Sequence, residues 1–250
     1  MKNVITYHFI RKQEDIKTIL EKQIKISLYF GWKPEDILII TNRKFKTEGV
    51  ESIFLDQERI PWSRYIYRTY AFLYLFKELK ISCPIWYHDW DAIQTEPLDF
   101  HFEKDKDIAL YYGFYYKRKK RPNGGSMFIR PSFTNMLEKW LALQLKTKRD
   151  TTEPSLEQVL SIIQEKVQFL PEELNIGSTG LRKRFKKAKK PIKVWHFKMT
   201  RPKYNKMFLP RLISQAKTNK NTAFVLKILK EFYTEFNYKF FDIKNLTESF

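Results

Sequence analysis

Ser82-Cys83-Pro84-Ile85-Trp86-Tyr87-His88-Asp89-Trp90-Asp91 is the stretch that decides how this chain is read. Ser82 to Tyr87 has the composition of a short apolar strand, and it runs straight into two carboxylates one residue apart. Side chains at i and i+2 of an extended segment point the same way, so Asp89 and Asp91 are expected to converge while Trp90 faces elsewhere. Paired carboxylates suit a hard divalent cation, Mg²⁺ or Mn²⁺, with positions left open for phosphate oxygens. An Asp-x-Asp alone is common in solvated turns. Its place at the carboxyl end of an apolar strand, where open α/β sheets hold their ligands, favours the metal reading.

The flanking sequence alternates strand and helix signals. Val4 to Ile10 reads as a buried strand, and Gln13 to Phe30 carries a helical period through Ile16, Ile19, Leu20, Gln23, Ile24, Ser27 and Leu28, closed by Gly31. Ile37 to Ile40 is a continuous apolar strand. This β-α-β order predicts a parallel sheet covered on both faces. Ile53 to Leu55 is a weak strand, Trp62 to Leu79 a long helix, and Ile108 to Phe114 a strand. Lys117 to Pro122 reads as a basic loop before Gly124-Gly125 and the strand Ser126 to Ile129. Helices are expected over Pro131 to Leu145 and Ser155 to Lys166, a strand over Ile192 to Phe197, and an amphipathic helical tail from Phe208 to Phe241. There is no internal repeat and no Gly/Ser linker. The expected organisation is a catalytic domain over 1–205 with a basic helical C-terminal extension over 206–250 packed on it.

Composition sets outer limits. The 250 residues are 43% hydrophobic and 16% aromatic, enough for a sizeable core, and only 7 are glycine, which argues against a low-complexity chain. The single cysteine, Cys83, excludes an internal disulfide and a cysteine-rich metal site. No apolar run is long enough to span a bilayer and the start lacks a signal-peptide core, so a cytoplasmic protein is expected. The 47 Lys and Arg against 28 Asp and Glu leave a formal charge of +19, which attracts polyanions: nucleic acid, an anionic membrane surface or phosphorylated substrates. Biased composition alone also accounts for it. There is no phosphate loop, no Gly-x-Gly-x-x-Gly and no Gly-x-Ser-x-Gly, which removes the commonest nucleotide-hydrolysing, dinucleotide and serine-hydrolase readings.

Other groups extend the candidate site. His196, in Val194-Trp195-His196-Phe197, is either a core histidine or a third metal ligand through neutral imidazole. Lys198 and Lys203 follow it and suit a diphosphate clamp. Gly124-Gly125 is either a hairpin turn or a place where backbone approaches a sugar or phosphate closely. Glu157-Gln158 is either a favourable first-turn acid or a sugar-contacting, catalytic pair. Arg64 and Arg68 lie one helical turn apart and share a face that is either solvated or directed at a nucleotide.

Taken in order, these features resemble the GT-A type nucleotide-sugar glycosyltransferases, most nearly the glycogenin and lipopolysaccharide-galactosyltransferase group. The order is a β-α-β unit, the Tyr/Arg-rich Ser63-Arg64-Tyr65-Ile66-Tyr67-Arg68, and Trp86-Tyr87-His88-Asp89-Trp90-Asp91-Ala92. Gly124-Gly125-Ser126-Met127-Phe128-Ile129, Glu157-Gln158, and His196-Phe197-Lys198 with Pro202-Lys203 follow. The likeness spans about residues 1–205. It departs from the family in Lys198-Met199 where a glycine is usual, in the reversed Pro202-Lys203 and in Glu157 for Asp. It implies an α/β fold of the Rossmann-like GT-A kind, with a mixed, mostly parallel sheet flanked by helices. It also implies a Mn²⁺ or Mg²⁺ cofactor on Asp89, Asp91 and His196, and a UDP- or GDP-sugar donor held by Arg64, Arg68, Asp89, Gly124, Gly125, Gln158, Lys198 and Lys203. Glu157 is then the best visible base for inversion, with Asp91 beside the leaving group.

The acceptor is read from charge. Lys117 to Arg121 interleaves with Tyr111, Tyr112, Tyr115 and Tyr116, and 181–190 holds seven cations in ten residues. Lys117, Arg118, Arg182 and Arg184 are therefore expected to contact a polyanionic acceptor. A modified DNA base of the kind phage enzymes glycosylate is the first choice; lipopolysaccharide, another glycan or a peripheral membrane surface are alternatives. Two readings from other classes stay open: a non-catalytic nucleic-acid-binding protein, and a nuclease using paired carboxylates in a two-metal site.

Overall fold

The computed structural model describes residues 1–7, 14–55, 64–116, 119–147, 153–177, 181–197 and 202–235. The chain divides into two compact units. The first holds Met1–Lys12, Trp32–Trp90 and Asp99–Pro171, and the second Gln13–Gly31, Asp91–Leu98 and Glu172–Phe250.

The first unit is built on an eight-stranded mixed sheet: β1 (Lys2–Tyr7), β2 (Ile37–Thr41), β3 (Lys46–Thr47), β4 (Val50–Phe54), β5 (Ile85–His88), β7 (Ile108–Tyr116), β8 (Lys119–Ile129) and β9 (Val167–Phe169). The order is β3-β4-β2-β1-β5-β8-β7-β9. Its centre is parallel: β1 pairs in parallel with β2 on one side and β5 on the other, and β2 with β4. Strand order therefore reverses about β1, and the crevice beyond the carboxyl ends of such neighbours is where open sheets take ligands. Asp89 is the first residue past β5. On the far side β8 runs antiparallel to both β5 and β7.

Alternation along the strands assigns the two faces. Val4, Ile85, Tyr87, Ile108, Leu110, Met127 and Ile129 share one buried face, in a cluster with side chains of α2 (Arg64–Leu73), α3 (Thr134–Thr147) and α4 (Glu153–Ile162). Tyr67, Ala71 and Phe72 of α2, Phe133 and Trp140 before and within α3, and Leu156 and Val159 of α4 complete it. Burying side chains such as Tyr67 and Phe72 stabilises by about 1.5–3 kcal/mol each, against differences of under about 0.7 kcal/mol in helix propensity, so packing decides where this Tyr-rich helix lies. Past Leu73 the helix widens by one residue per turn, with the Leu79 amide donating to the Tyr74 carbonyl at 3.0 Å. The opposite face carries Asn3, Ile5, Trp86, His88, Ser126 and Phe128, also buried.

The second unit contains α1 (Glu14–Tyr29), α5 (Leu181–Lys187), α6 (Pro202–Ala216), α7 (Lys220–Glu235) and a small sheet in the order β10-β11-β6, from Ile176–Gly177, Val194–His196 and Ala92–Gln94. Gly31, at φ +85°, ends α1 in the left-handed conformation a C-terminal glycine takes without strain. Inside this unit the Gln23 side chain donates to the Ala92 carbonyl at 3.1 Å, and the buried Glu96 carboxylate accepts from Asn221 at 2.9 Å at the start of α7.

Several elements depart from the sequence reading. Lys119 to Pro122 lie in strand β8, not in a loop, because the β7–β8 hairpin continues past the apolar part of both strands. Gly124-Gly125 are mid-strand residues rather than a turn. The run 181–190 begins with a helix, α5. The tail is two helices, parted at 217–219, where Asn219 accepts from the Thr222 amide at 2.9 Å and caps α7. The expected boundary at 205/206 falls within α6. Among the described residues no helix is long and apolar enough to cross a membrane.

Candidate metal centre

Asp89 leaves β5 with its peptide and carboxylate both held. Its amide donates to the Gly125 carbonyl at 2.8 Å. Its Oδ1 accepts from Arg68 Nη1 at 3.3 Å and, more closely, from the Tyr87 hydroxyl. Tyr87 and Asp89 are two residues apart, so the pleat itself sets the phenol beside the carboxylate. Arg68 is 5% exposed; its Nη1 also donates to the Gly124 carbonyl at 2.9 Å, and its guanidinium carbon lies 5.2 Å from the centre of the Tyr87 ring. Burial alone would lower the pKa of Arg68, but Tyr87 and then Asp89 raise it and the net direction is up, so the group stays cationic. Burial, then Asp89, pushes the Tyr87 phenol up as well, which keeps it a donor.

Two donors of Arg68, Nε and Nη2, are buried with no hydrogen-bond partner among the described residues. Nη2 lies 2.9 Å from where a Cβ on Gly124 would sit. The absence of a side chain at Gly124 therefore makes room for the guanidinium. Leaving such donors buried and unmade costs about 1–3 kcal/mol each.

Asp91 is held differently. Its carbonyl accepts from the Phe197 amide at 2.8 Å, and its Oδ1 lies 3.2 Å from His196 Nε2. Asp91 and His196 side chains are 17% and 16% exposed. Asp89, Asp91 and His196 each offer one ligand atom, and the three lie within 4.8 Å of one another. The convergence of the two carboxylates has a different origin from the one expected. β5 ends at His88, and Trp90-Asp91 is a turn into β6, so backbone reversal rather than pleat brings Asp91 round. Trp90 does turn elsewhere, edge-on to Tyr7 with ring centres 5.9 Å apart. Two carboxylates with one imidazole, partly exposed, are a donor set that fits Mn²⁺ and leaves room for further oxygen ligands.

No family model and no curated protein sequence matches this chain. Solved structures do. A glycosyltransferase involved in the glycosylation of the major capsid of PBCV-1 superposes with a TM-score of 0.54 at 11% identity, over 80% of this chain and 95% of that one. The galactosyltransferase LgtC in complex with donor and acceptor sugar analogs gives 0.55 at 13%, over 81% and 89%. Mouse xyloside xylosyltransferase 1 gives 0.51 at 10%, over 80% and 98%. The fold is GT-A. The Asp89-Trp90-Asp91 segment follows directly on β5, which pairs in parallel with β1.

The remaining expected site residues fall in several places. Gly124 and Gly125 are beside Arg68 and Asp89 through their carbonyls. Glu157, on α4, has Oε2 3.9 Å from Nε of Arg121, which lies on β8 three residues before Gly124; Gln158 beside it is exposed. Burial, then the Glu157 carboxylate, raises the pKa of Tyr112, so this carboxylate also acts on β7. Arg184 faces inward, 3% exposed, with Nε 2.6 Å from Glu172 Oε2 and Nη2 on the Asn175 carbonyl. Among the described side chains of that segment the exposed cations are Lys183, Lys186, Lys187, Lys189 and Lys190. Arg64, Arg182 and Lys203 begin or follow the starts of α2, α5 and α6, with side chains outside the described part; Lys117, Arg118 and Lys198 lie outside the described residues. Sequence reasoning missed Tyr87 and Arg121. The i, i+2 spacing to Asp89 was a signal for the first; nothing marked the second among its basic neighbours.

Proposed function

We propose that the protein is a divalent-metal-dependent glycosyltransferase that moves a sugar from a nucleotide diphosphate donor, UDP- or GDP-linked, to an acceptor hydroxyl. The observation that carries this is the meeting of Asp89, Asp91 and His196 ligand atoms within 4.8 Å, at the carboxyl end of the parallel strands of a GT-A fold. Asp89, Asp91 and His196 would hold Mn²⁺ or Mg²⁺, which when bound supplies positive charge against the departing diphosphate.

The chain's own residues have separable tasks. Arg68, kept cationic by Tyr87 and Asp89, sets a fixed positive charge behind the Asp89 carboxylate, so little reorganisation is needed as charge develops. Tyr87 and Arg68 orient the Asp89 carboxylate, and the Phe197 amide fixes the Asp91 peptide. Gly124 leaves space for the guanidinium. Lys198 and Lys203 are proposed for the diphosphate, Arg64, Gly125 and Gln158 for the rest of the donor. Glu157 is the base for the acceptor hydroxyl, with Arg121 Nε 3.9 Å from its carboxylate.

The acceptor we propose is polyanionic, with DNA the first to test. The support is the +19 charge and the exposed lysines 183, 186, 187 and 189, together with Lys117, Arg118 and Arg182. The test is incubation with Mn²⁺ and a panel of nucleotide sugars, scored for UDP or GDP release with and without EDTA. Release with one or a few donors, stopped by EDTA, supports the reading. Silence with every donor, alongside Mn²⁺-dependent cleavage of DNA, moves the site to a nuclease.

A further inference from the structure

Asp89 is followed by a turn whose geometry sets the separation of the two carboxylates, and one buried ring holds the start of that turn. His88 is 1% exposed. It stacks on Trp86, with ring centres 4.2 Å apart and planes inclined by 24°. Its Nδ1 lies 3.1 Å from the Asp89 carbonyl oxygen, and its Nε2 lies 3.0 Å from Asn3 Oδ1 on β1. Asn3 is fully buried, and Trp86 is itself tied down through Nε1 to Ser126 Oγ at 3.1 Å.

A carbonyl oxygen only accepts, so the Nδ1 contact requires a hydrogen on Nδ1. In the neutral ring Nε2 is then an acceptor, so the Asn3 amide has to turn over and present its NH₂ end in place of Oδ1; the two ends of an amide exchange by a simple flip. The Asp89 carbonyl, which cannot turn over, selects the Nδ1–H tautomer, and Asn3 follows it on the other side of the ring. With its amide on Gly125 and its carbonyl on His88, the Asp89 residue is fixed on both sides of its α-carbon. Only its side chain is left to the site.

We propose that His88 is a positioning residue for the metal centre: by holding the Asp89 carbonyl through Nδ1–H, with Asn3 fixing the ring, it sets the turn that places Asp89 and Asp91. This rests on the metal reading above. The role is that of a second layer of partners behind metal ligands, where substitutions typically weaken metal affinity by roughly ten- to a hundredfold.

Two substitutions separate the ring's two bonds. In His88→Asn the shorter amide reaches the place of Nδ1, which keeps a donor for the Asp89 carbonyl and gives up Asn3. In His88→Gln the amide reaches the place of Nε2, which keeps Asn3 and gives up the carbonyl. Both remove the stack on Trp86, so the difference between them reports the carbonyl bond. Mn²⁺ binding is measured directly on each full-length protein, with thermal unfolding as the check on folding. Expected are a Kd raised about tenfold or more in His88→Gln and within about threefold of wild type in His88→Asn, at similar unfolding temperatures. Equal affinities in the two variants, or the reverse order, overturn the proposal while leaving the metal reading intact. A wild-type protein that takes up no Mn²⁺ overturns the metal reading and this proposal with it. If the variants do not fold, ¹⁵N spectra of the wild type, which has only four histidines, decide: an Nδ1–H tautomer at His88 supports the proposal and an Nε2–H tautomer overturns it.

Discussion

Nη2 of Arg68 sits 2.9 Å from the point where Gly124 would carry a Cβ. The guanidinium is buried on every side, so it has little room to retreat, and a methyl at 124 has to push it. Gly124→Ala is expected to destabilise the protein by about 1–3 kcal/mol, the usual cost of overpacking, and to lower activity through displaced Arg68 donors. Urea unfolding and donor hydrolysis measured together check this. Unchanged stability and unchanged rate would show that the guanidinium moves freely.

Arg68→Lys keeps a cation near Asp89 but removes the planar group whose Nη1 reaches Asp89, Tyr87 and Gly124 together. The expected outcome is weaker donor binding, by roughly tenfold for one or two charge-assisted hydrogen bonds lost, with Mn²⁺ affinity changed far less. Calorimetric titration of the Mn²⁺-loaded protein with nucleotide sugar reads the first and Mn²⁺ titration the second. Equal loss in both would mean that Arg68 serves the metal ligands alone.

Tyr67 supplies a test of the core by pH. It is 2% exposed, and burial pushes its pKa up from 10.0. A raised folded-state pKa means that the unfolded chain loses this proton first. The stability it contributes is complete below pH 10 and falls as pH rises beyond it. The slope for one proton is about 1.4 kcal/mol per pH unit. Relative to wild type, Tyr67→Phe should lose less stability between pH 10 and 11. Parallel decline of the two proteins, followed by chemical denaturation, would place an ionised Tyr67 in the folded state.

The polyanion reading predicts a steep salt dependence. Each duplex phosphate contact adds about −0.9 to the slope of log affinity against log salt. Changing Lys183, Lys186, Lys187 and Lys189 to Gln should flatten that slope for DNA and leave donor hydrolysis intact. An unaltered slope, or no DNA binding at low salt alongside ready transfer to a saccharide, would assign these lysines elsewhere.

What the sequence made legible follows physical scale. The parallel centre of the sheet was readable because Ile37 to Ile40 and Ser82 to Tyr87 are long enough to need burial on both faces. β6 and β10, of three and two residues, were not, since they exist only through the ladders they join. Lys119 to Arg121 look like loop because their strand is held by hairpin register and not by apolar side chains. The Asp pair was legible from its place after β5, whereas the turn that brings Asp91 to His196 depends on the Phe197 amide, over a hundred residues away in sequence. Arg184 was indistinguishable from its six cationic neighbours in 181–190; only Glu172 and Asn175 pick it out as the inward one. The Asn219 cap, by contrast, could have been read, with a polar side chain and an apolar period beginning just after it.

The central claim is that Asp89, Asp91 and His196 hold a metal that serves donor cleavage. It is tested most directly by Mn²⁺-dependent release of nucleoside diphosphate from the preferred donor, in wild type and in Asp91→Ala, after both are shown to fold alike. A metal contributes several kcal/mol to such a step, and each 1.36 kcal/mol is tenfold in rate. Release that falls at least about a hundredfold in Asp91→Ala, and in wild type treated with EDTA, is the predicted result. Full release by Asp91→Ala in the presence of EDTA would contradict the account.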